Sequence, residues 1–144
     1  MVFDATNDYY NYLTSGSGIT APATSLDGGS TGTGSYEDCI WQIWMSETWN
    51  DQLIVDFWNW RATHQTQSVL GSYNYILTTV GSSISEGFPL YAAWNYATRT
   101  RVIAGFGYSE GGSYPASTVT NNTTYPYSGN GTVDHLAANN IHLS

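Results

Sequence analysis

The sequence predicts an all-β fold, an antiparallel β-sandwich or jelly roll with long Gly/Ser/Thr-rich loops and room for one short helix. Three observations predict it. Aromatic residues make up 15% of the 144 residues and charged residues only 10%, a balance that favours a packed sheet over a disordered chain. Several short runs alternate in side-chain character with a period of two. Long stretches of Gly, Ser, Thr and Asn separate those runs and read as turns and loops. The length fits a single domain spanning 1–144, large enough to bury a core without staples.

The elements follow in order. VFDATNDYY, residues 2–10, reads as a first strand entered through a polar turn. Residues 14–35 form a Ser/Gly/Thr arm, pinned against the body or a neighbouring subunit. In CIWQIWMSETW, Cys39, Trp41, Ile43 and Met45 alternate with Gln42, Trp44 and Ser46. LIVDFWNW then sets Leu53, Val55 and Phe57 against Ile54, Asp56, Trp58 and Trp60, with a hairpin near Asn50-Asp51. SVLGSYNYILTTV supplies a third strand, with a bulge at Gly71. Residues 86–98 suit a short helix or a strand equally well. TRTRVIAGFGY places Thr100, Val102, Ala104 and Phe106 on one strand face. A second arm occupies 109–132, and VDHLAANNIHLS ends the chain as a strand or short helix. No internal repeat is present.

Charge excludes two classes of partner. Eleven acids face three cations, Arg61, Arg99 and Arg101, with no lysine and a formal charge of −8. Nucleic acid requires a basic footprint, and anionic membrane surfaces attract basic segments. No apolar run approaches the roughly 20 residues of a membrane span. Met1 is retained without a basic, apolar leader, so synthesis in a host cytoplasm without a signal peptide is expected. The Asn-x-Thr triplets at Asn121, Asn122 and Asn130 then read as turn chemistry rather than glycan acceptors.

Catalytic and metal signals are weak. The single cysteine, Cys39, excludes a disulfide framework and thiolate zinc sites, and within an apolar run it reads as a buried structural thiol. Glu47, Asp51 and Asp56 lie close in sequence, but glycoside hydrolysis needs two carboxylates at a set separation, and turn acids explain the grouping. His64, His135 and His142 have no metal-ligand spacing. There is no Gly-x-Ser-x-Gly elbow. Asp27 to Asp38 has Gly32 at the sixth place of a calcium loop, but Gly29 and Thr31 stand where carboxylates are needed. No cofactor and no catalytic residue is expected.

The tryptophans carry the binding signal. Aromatics on both strand faces imply a second burial surface, a subunit interface or a ligand platform. Trp58 and Trp60, on one strand face beside Asp56 and Asn59, would form a sugar-stacking surface, with Gln52 also within reach of hydroxyls. A protein interface through Trp44, Trp58 and Trp60 explains the same residues. Arg99 and Arg101 share a strand face and suit bidentate pairing with carboxylates, within the chain or on an adjacent acidic copy.

The opening stretch resembles the first strand of the concanavalin-like (laminin-G-like) jelly-roll family. Phe3, Asp4, Asn7, Asp8 and Tyr9 match a Phe-Asp/Asn-Gly-x-x-Asp-Tyr run that leads into that strand, with Ala5 in place of glycine. IWQIWMS, residues 40–46, looks like the strand that follows. The later family pattern, a Trp-centred strand and an Asp-Gly hairpin, is not evident, so the resemblance covers the first third of the chain. It implies a two-sheet fold used in carbohydrate binding, adhesion or virion decoration, including bacteriophage structural proteins. The expectation is a non-enzymatic virion protein, a capsid-decorating or tail-associated subunit bound to copies of itself and to other virion proteins. A glycan-binding or receptor-binding module is the alternative, and a glycoside hydrolase a more distant one.

Overall fold

Four helices in succession build the body of the computed structural model, which describes residues 9–26, 39–122 and 135–143. A one-turn α1 (Tyr10–Leu13) comes first. The four are α2 (Cys39–Thr48), α3 (Gln52–Thr63), α4 (Val69–Thr78) and α5 (Ile84–Tyr96). A 3-10 turn follows at Arg99–Arg101, and two three-residue strands, β1 (Thr120–Asn122) and β2 (Ile141–Leu143), pair in parallel. Connections of three to five residues keep each helix against its predecessor: α3 packs on α2, α4 on α3 and α5 on α4.

The all-β expectation is therefore corrected. No β-sandwich or jelly roll forms among the described residues. The three runs expected as strands at 39–46, 53–60 and 68–80 are α2, α3 and α4, and the ambiguous 86–98 is mostly α5. IWQIWMS lies wholly inside α2. The physical reason is visible in what is buried. In α2 the interior takes Ile40, Trp41, Trp44 and Met45, spaced one, three and one apart, which is one face of a 3.6-residue helix and not of a strand. In α3 it takes Leu53 and Phe57, in α5 Gly87, Tyr91 and Asn95, all four apart. When most residues of a run are apolar, a two-residue alternation can be drawn through a helical stripe, and tertiary burial overrides the β preference of Trp, Tyr and Val.

Local signals support the helices. Ser68 accepts the Gly71 N–H at 3.0 Å and so caps α4. Ser83 accepts the Glu86 N–H at 3.3 Å and donates to the Glu86 carboxylate at 3.1 Å, a Ser-x-x-Glu box that starts α5. Asn50 Oδ1 takes the Leu53 N–H at the start of α3. Gly71, expected as a strand bulge, sits in the first turn of α4.

The core is aromatic. Trp41 lies 4.7 Å from Trp44 between ring centroids, 4.9 Å from Tyr91 and 6.1 Å from Tyr73. Tyr73 stacks on Phe57 at 4.0 Å. Gly87 lets Trp44 reach α5: a Cβ there would stand 2.6 Å from the indole Cη2. Cys39, expected to be buried, is half-buried at the start of α2.

Irregular segments close over the helices. Residues 14–26 lie against the C-terminal part through Thr118 N–H to Ile19 O, Ala138 N–H to Pro22 O and Leu26 N–H to Leu136 O. Ile19 and Ser17 are fully buried there. Gly18 admits the Tyr91 hydroxyl and the Asn95 amide, which a Cβ would meet at 2.2 and 2.8 Å. A cavity of about 20 Å³ remains beside them, room for one water. The expected strand at 98–108 is instead a 3-10 turn followed by a tight turn, in which Phe106 N–H bonds Ile103 O at 3.0 Å. The last run does form a strand, β2, paired Thr120↔Ile141 to Asn122↔Leu143. Residues 2–8 of the expected first strand, the Asp27–Asp38 stretch, Asn130, and the portions 27–35 and 123–132 of the two arms lie outside the described residues.

Candidate functional site

Among the exposed apolar groups of the described residues, two lie next to charge of opposite sign, the outer face of α3 and the turn at 99–106. The first is the outer face of α3. With Leu53 and Phe57 turned inward, the 3.6-residue period turns Asp51, Val55, Trp58 and Ala62 outward, one above another. Val55 is 50% and Trp58 58% exposed. Beside them runs a polar row, Gln52, Asp56 and Asn59, in which the Gln52 amide donates to Asp56 at 2.9 Å. Asp51 takes a hydrogen bond from the Ser46 hydroxyl. The face is apolar at its centre and acidic at its end and flank.

The second feature is a prong, residues 99–106. Thr98 at its base is fully buried and donates to Pro115 O at 2.8 Å. Arg99 adopts φ +59°, held by its N–H on Gly111 O at 2.8 Å; a left-handed non-glycine residue costs about 1 kcal/mol or more and persists only where its surroundings enforce it. Val102 and Ile103 then stand 49% and 55% exposed. Gly105 turns the chain with φ +77° at the third position of a type II turn. Phe106 returns to Trp94 at 6.2 Å, and Tyr108, fully enclosed, donates to Asn95 Oδ1 at 2.7 Å. Glu47 fixes the far end, accepting from Ser109 N–H at 2.7 Å and Ser109 Oγ at 3.0 Å. The prong is a clamped loop with a greasy tip and a basic base.

Behind the prong, Tyr96, Arg101, Val119, Asn121 and His142 line a groove of about 220 Å³. The Arg101 guanidinium lies 4.9 Å from the Tyr96 ring centroid and donates to Ser117 O at 3.0 Å. An aromatic wall with donors from Arg, Asn and His suits a small hydroxylated or anionic ligand.

A tyrosine cluster ties the N-terminal segment to the loop after the prong. Tyr9 donates to Glu110, and its ring meets Tyr10 at 4.7 Å and Tyr114 at 6.3 Å, edge to face. Burial holds the Tyr108 hydroxyl well above the ordinary phenol range. Burial first, then the bond to Glu110, does the same for Tyr9. Tyr114 and Tyr10 are also raised, chiefly by burial.

The residues expected to act together are dispersed. Trp58 and Trp60, two apart on a helix, point to different sides, so the Trp58/Trp60/Asp56/Asn59 platform does not form. Trp60 is half-buried, stacked on His64 at 3.5 Å and Tyr75 at 3.6 Å, its N–H on Gln67 at 2.6 Å. Trp44, expected at an interface, is fully buried. Trp58, Asp56 and Asn59 are exposed. Arg99 is exposed and Arg101 half-buried, on a 3-10 turn rather than a strand, and neither pairs with a carboxylate among the described residues. Glu47, Asp51 and Asp56 are each engaged by a hydrogen bond to Ser109, Ser46 and Gln52 respectively. Among the described residues no cluster of His, Cys, Asp and Glu is arranged to hold a metal ion, and no helix is long and apolar enough to cross a membrane. Sequence reasoning missed Val55, Val102 and Ile103 as surface residues. A helical reading of 52–63 places Val55 beside Trp58, and Ala-Gly after Val-Ile marks the exposed turn.

Compared with protein-family models, curated proteins and solved structures, the chain gives no match.

Proposed function

We propose that this chain is a non-enzymatic structural subunit of a virion, a capsid-decorating or tail-associated protein that works by docking to copies of itself and to other particle proteins. One observation carries the reading: a body that buries or half-buries most of its described aromatic rings still presents Trp58, Val55, Val102 and Ile103 to solvent, each about half or more exposed. Exposed apolar groups gathered next to charge mark interaction surfaces. The carboxylates closest to a catalytic grouping, Glu47, Asp51 and Asp56, are each engaged by a hydrogen bond from Ser109, Ser46 or Gln52, which suits a structural role. The acidic surface and absence of lysine suit a protein whose partners are proteins rather than nucleic acid.

The test is location. An antibody against the chain, applied to particles purified from cells that express it, should label intact virions and co-sediment with them. Chain found only in the cleared lysate, with unlabelled particles, would overturn the reading.

A second reading, glycan binding, is favoured by the Tyr96/Arg101/Asn121/His142 groove rather than by the tryptophans. Binding on a glycan array that disappears in Asn121→Ala and His142→Ala would establish it; a silent array with the intact chain removes it.

A further inference from the structure

We propose that the prong of one copy docks on the outer face of α3 of a second copy, so that subunits associate head to tail. This rests on the assembly reading above and deepens it by naming both surfaces and the partner.

Charge selects the occupant. Two of the three cations of the chain, Arg99 and Arg101, stand at the base of the prong, and no carboxylate within the described chain neutralises them. The α3 face carries Asp51 and Asp56 around an apolar centre. The remaining charge of the molecule is overwhelmingly acidic, so the prong is attracted by another copy and one prong is repelled by another. That disfavours a symmetric prong-to-prong contact.

Shape agrees. Asp51 and Trp58 are seven residues apart on a helix, about 10 Å along its axis. Arg99 and Ile103 are four residues apart, a reach of at most about 13 Å. Arg99 can therefore meet Asp51 while Ile103 lies on Val55 and Trp58, and Arg101, held on Ser117 O and the Tyr96 ring, adds positive charge at the base. The prong is clamped at Thr98, Tyr108 and Ser109, so docking need not order a floppy loop, which removes one of the main penalties of association.

The contact is heterologous. Each copy that docks its prong leaves its own α3 face free, and each occupied face leaves a prong free. Such a contact closes into a ring or continues as a filament, according to the rotation between copies.

The experiment uses two single variants at exposed positions, Ile103→Glu and Trp58→Glu, with circular dichroism to confirm that both keep the native helix content. Light scattering and sedimentation velocity follow association of the intact chain and of each variant. The expected result is concentration-dependent assembly of the intact chain that weakens as salt rises. Each variant alone should associate at least tenfold more weakly. An equimolar mixture should form a capped 1:1 complex, because the Trp58→Glu copy keeps a working prong and the Ile103→Glu copy keeps a working face. If the intact chain assembles and either variant assembles equally well, the named surfaces are wrong while the assembly reading stands. If the variants fail alone and also fail together, the contact is not head to tail and the proposal is overturned. If the intact chain stays monomeric at every concentration, docking between copies is overturned, and particle labelling decides the assembly reading separately.

Discussion

Helices α2 and α3 have nearly the same composition and opposite fates. Each carries two tryptophans and several large aliphatic residues. α2 sends Trp41 and Trp44 entirely into the core, although both indole N–H groups then lack a hydrogen-bond partner among the described residues. Each orphaned donor costs about 1–3 kcal/mol. α3 half-buries Trp60 with its N–H satisfied by Gln67, and leaves Trp58 in water. The interior accepts indoles even at a penalty, so the exposure of Trp58 does not follow from a shortage of room for tryptophan as such. It follows from register: position 58 lies opposite the Leu53/Phe57 stripe. A residue placed there is under no pressure from the core, and in the assembly proposed above it is a second copy that covers the tryptophan.

The comparison breaks most severely at Trp44. Trp44→Ala removes an indole packed on Trp41, Trp49 and Tyr91. The expected loss is about 3–5 kcal/mol of stability, from lost burial plus the cavity left behind. Denaturant titration followed by circular dichroism measures it, and a loss below 1 kcal/mol would mean that α2 is not the centre of the core. Gly87→Ala attacks the same ring from the other side. The new methyl meets the indole Cη2 at 2.6 Å, and an indole wedged in a dense core cannot swing away. The expected loss is about 1–3 kcal/mol, although alanine is the better helix former by about 1 kcal/mol. A stabilised variant would show that Trp44 has slack.

How much of this was legible in the sequence depends on the element. The capping box at Ser83 to Glu86 is written in four letters, and Ser68 before Val69 is a plain helix start; both point to the helices that the β-rich composition argued against. The pattern in 39–48 is intrinsically double. Ile40, Trp41, Trp44 and Met45 make a helical stripe, while Cys39, Trp41, Ile43 and Met45 make a strand face, and only packing decides between them. Charge alone singled out Arg99 and Arg101 but left open whether they pair within the chain or with another copy, and it set them on a strand face where the chain forms a 3-10 turn. The platform of Trp58 and Trp60 was not, because its existence depended on the wrong period: on a strand they share a face, on a helix they do not. The tyrosine cluster was out of reach, since it joins Tyr9 to Tyr114 across more than a hundred residues.

That cluster gives the pH dependence. The phenols of Tyr108 and Tyr114 are raised above their ordinary value, chiefly by burial. In the unfolded chain they ionise near pH 10. A group whose folded pKa is raised gives a contribution that is complete below the unfolded pKa and lost as pH rises through the folded one. Their contribution to stability is therefore constant below about pH 10 and falls above it, by up to ~1.4 kcal/mol per pH unit for each phenol the fold keeps protonated. Melting temperatures across the alkaline range, read with the phenolate absorbance, check both halves. Full phenolate absorbance in a still-folded chain would place these hydroxyls in water.

The smallest effect on stability, and the sharpest form of the comparison, is Trp58→Ser. Trp58 has more than half its surface in solvent and, among the described residues, one ring neighbour, Phe57, on its own helix. A substitution at such a position changes stability by no more than about 0.5 kcal/mol, against several for Trp44. Its fluorescence signature runs the other way. A water-soluble quencher reaches Trp58 first in the monomer, so the variant should lose most of the quenchable indole emission while melting like the parent. If the missing component is instead a buried, unquenched one, position 58 is packed and the outward register of α3 is wrong. If quenching of the intact chain falls as it associates, and the fall is absent in the variant, the indole that the core left out is the one a partner covers.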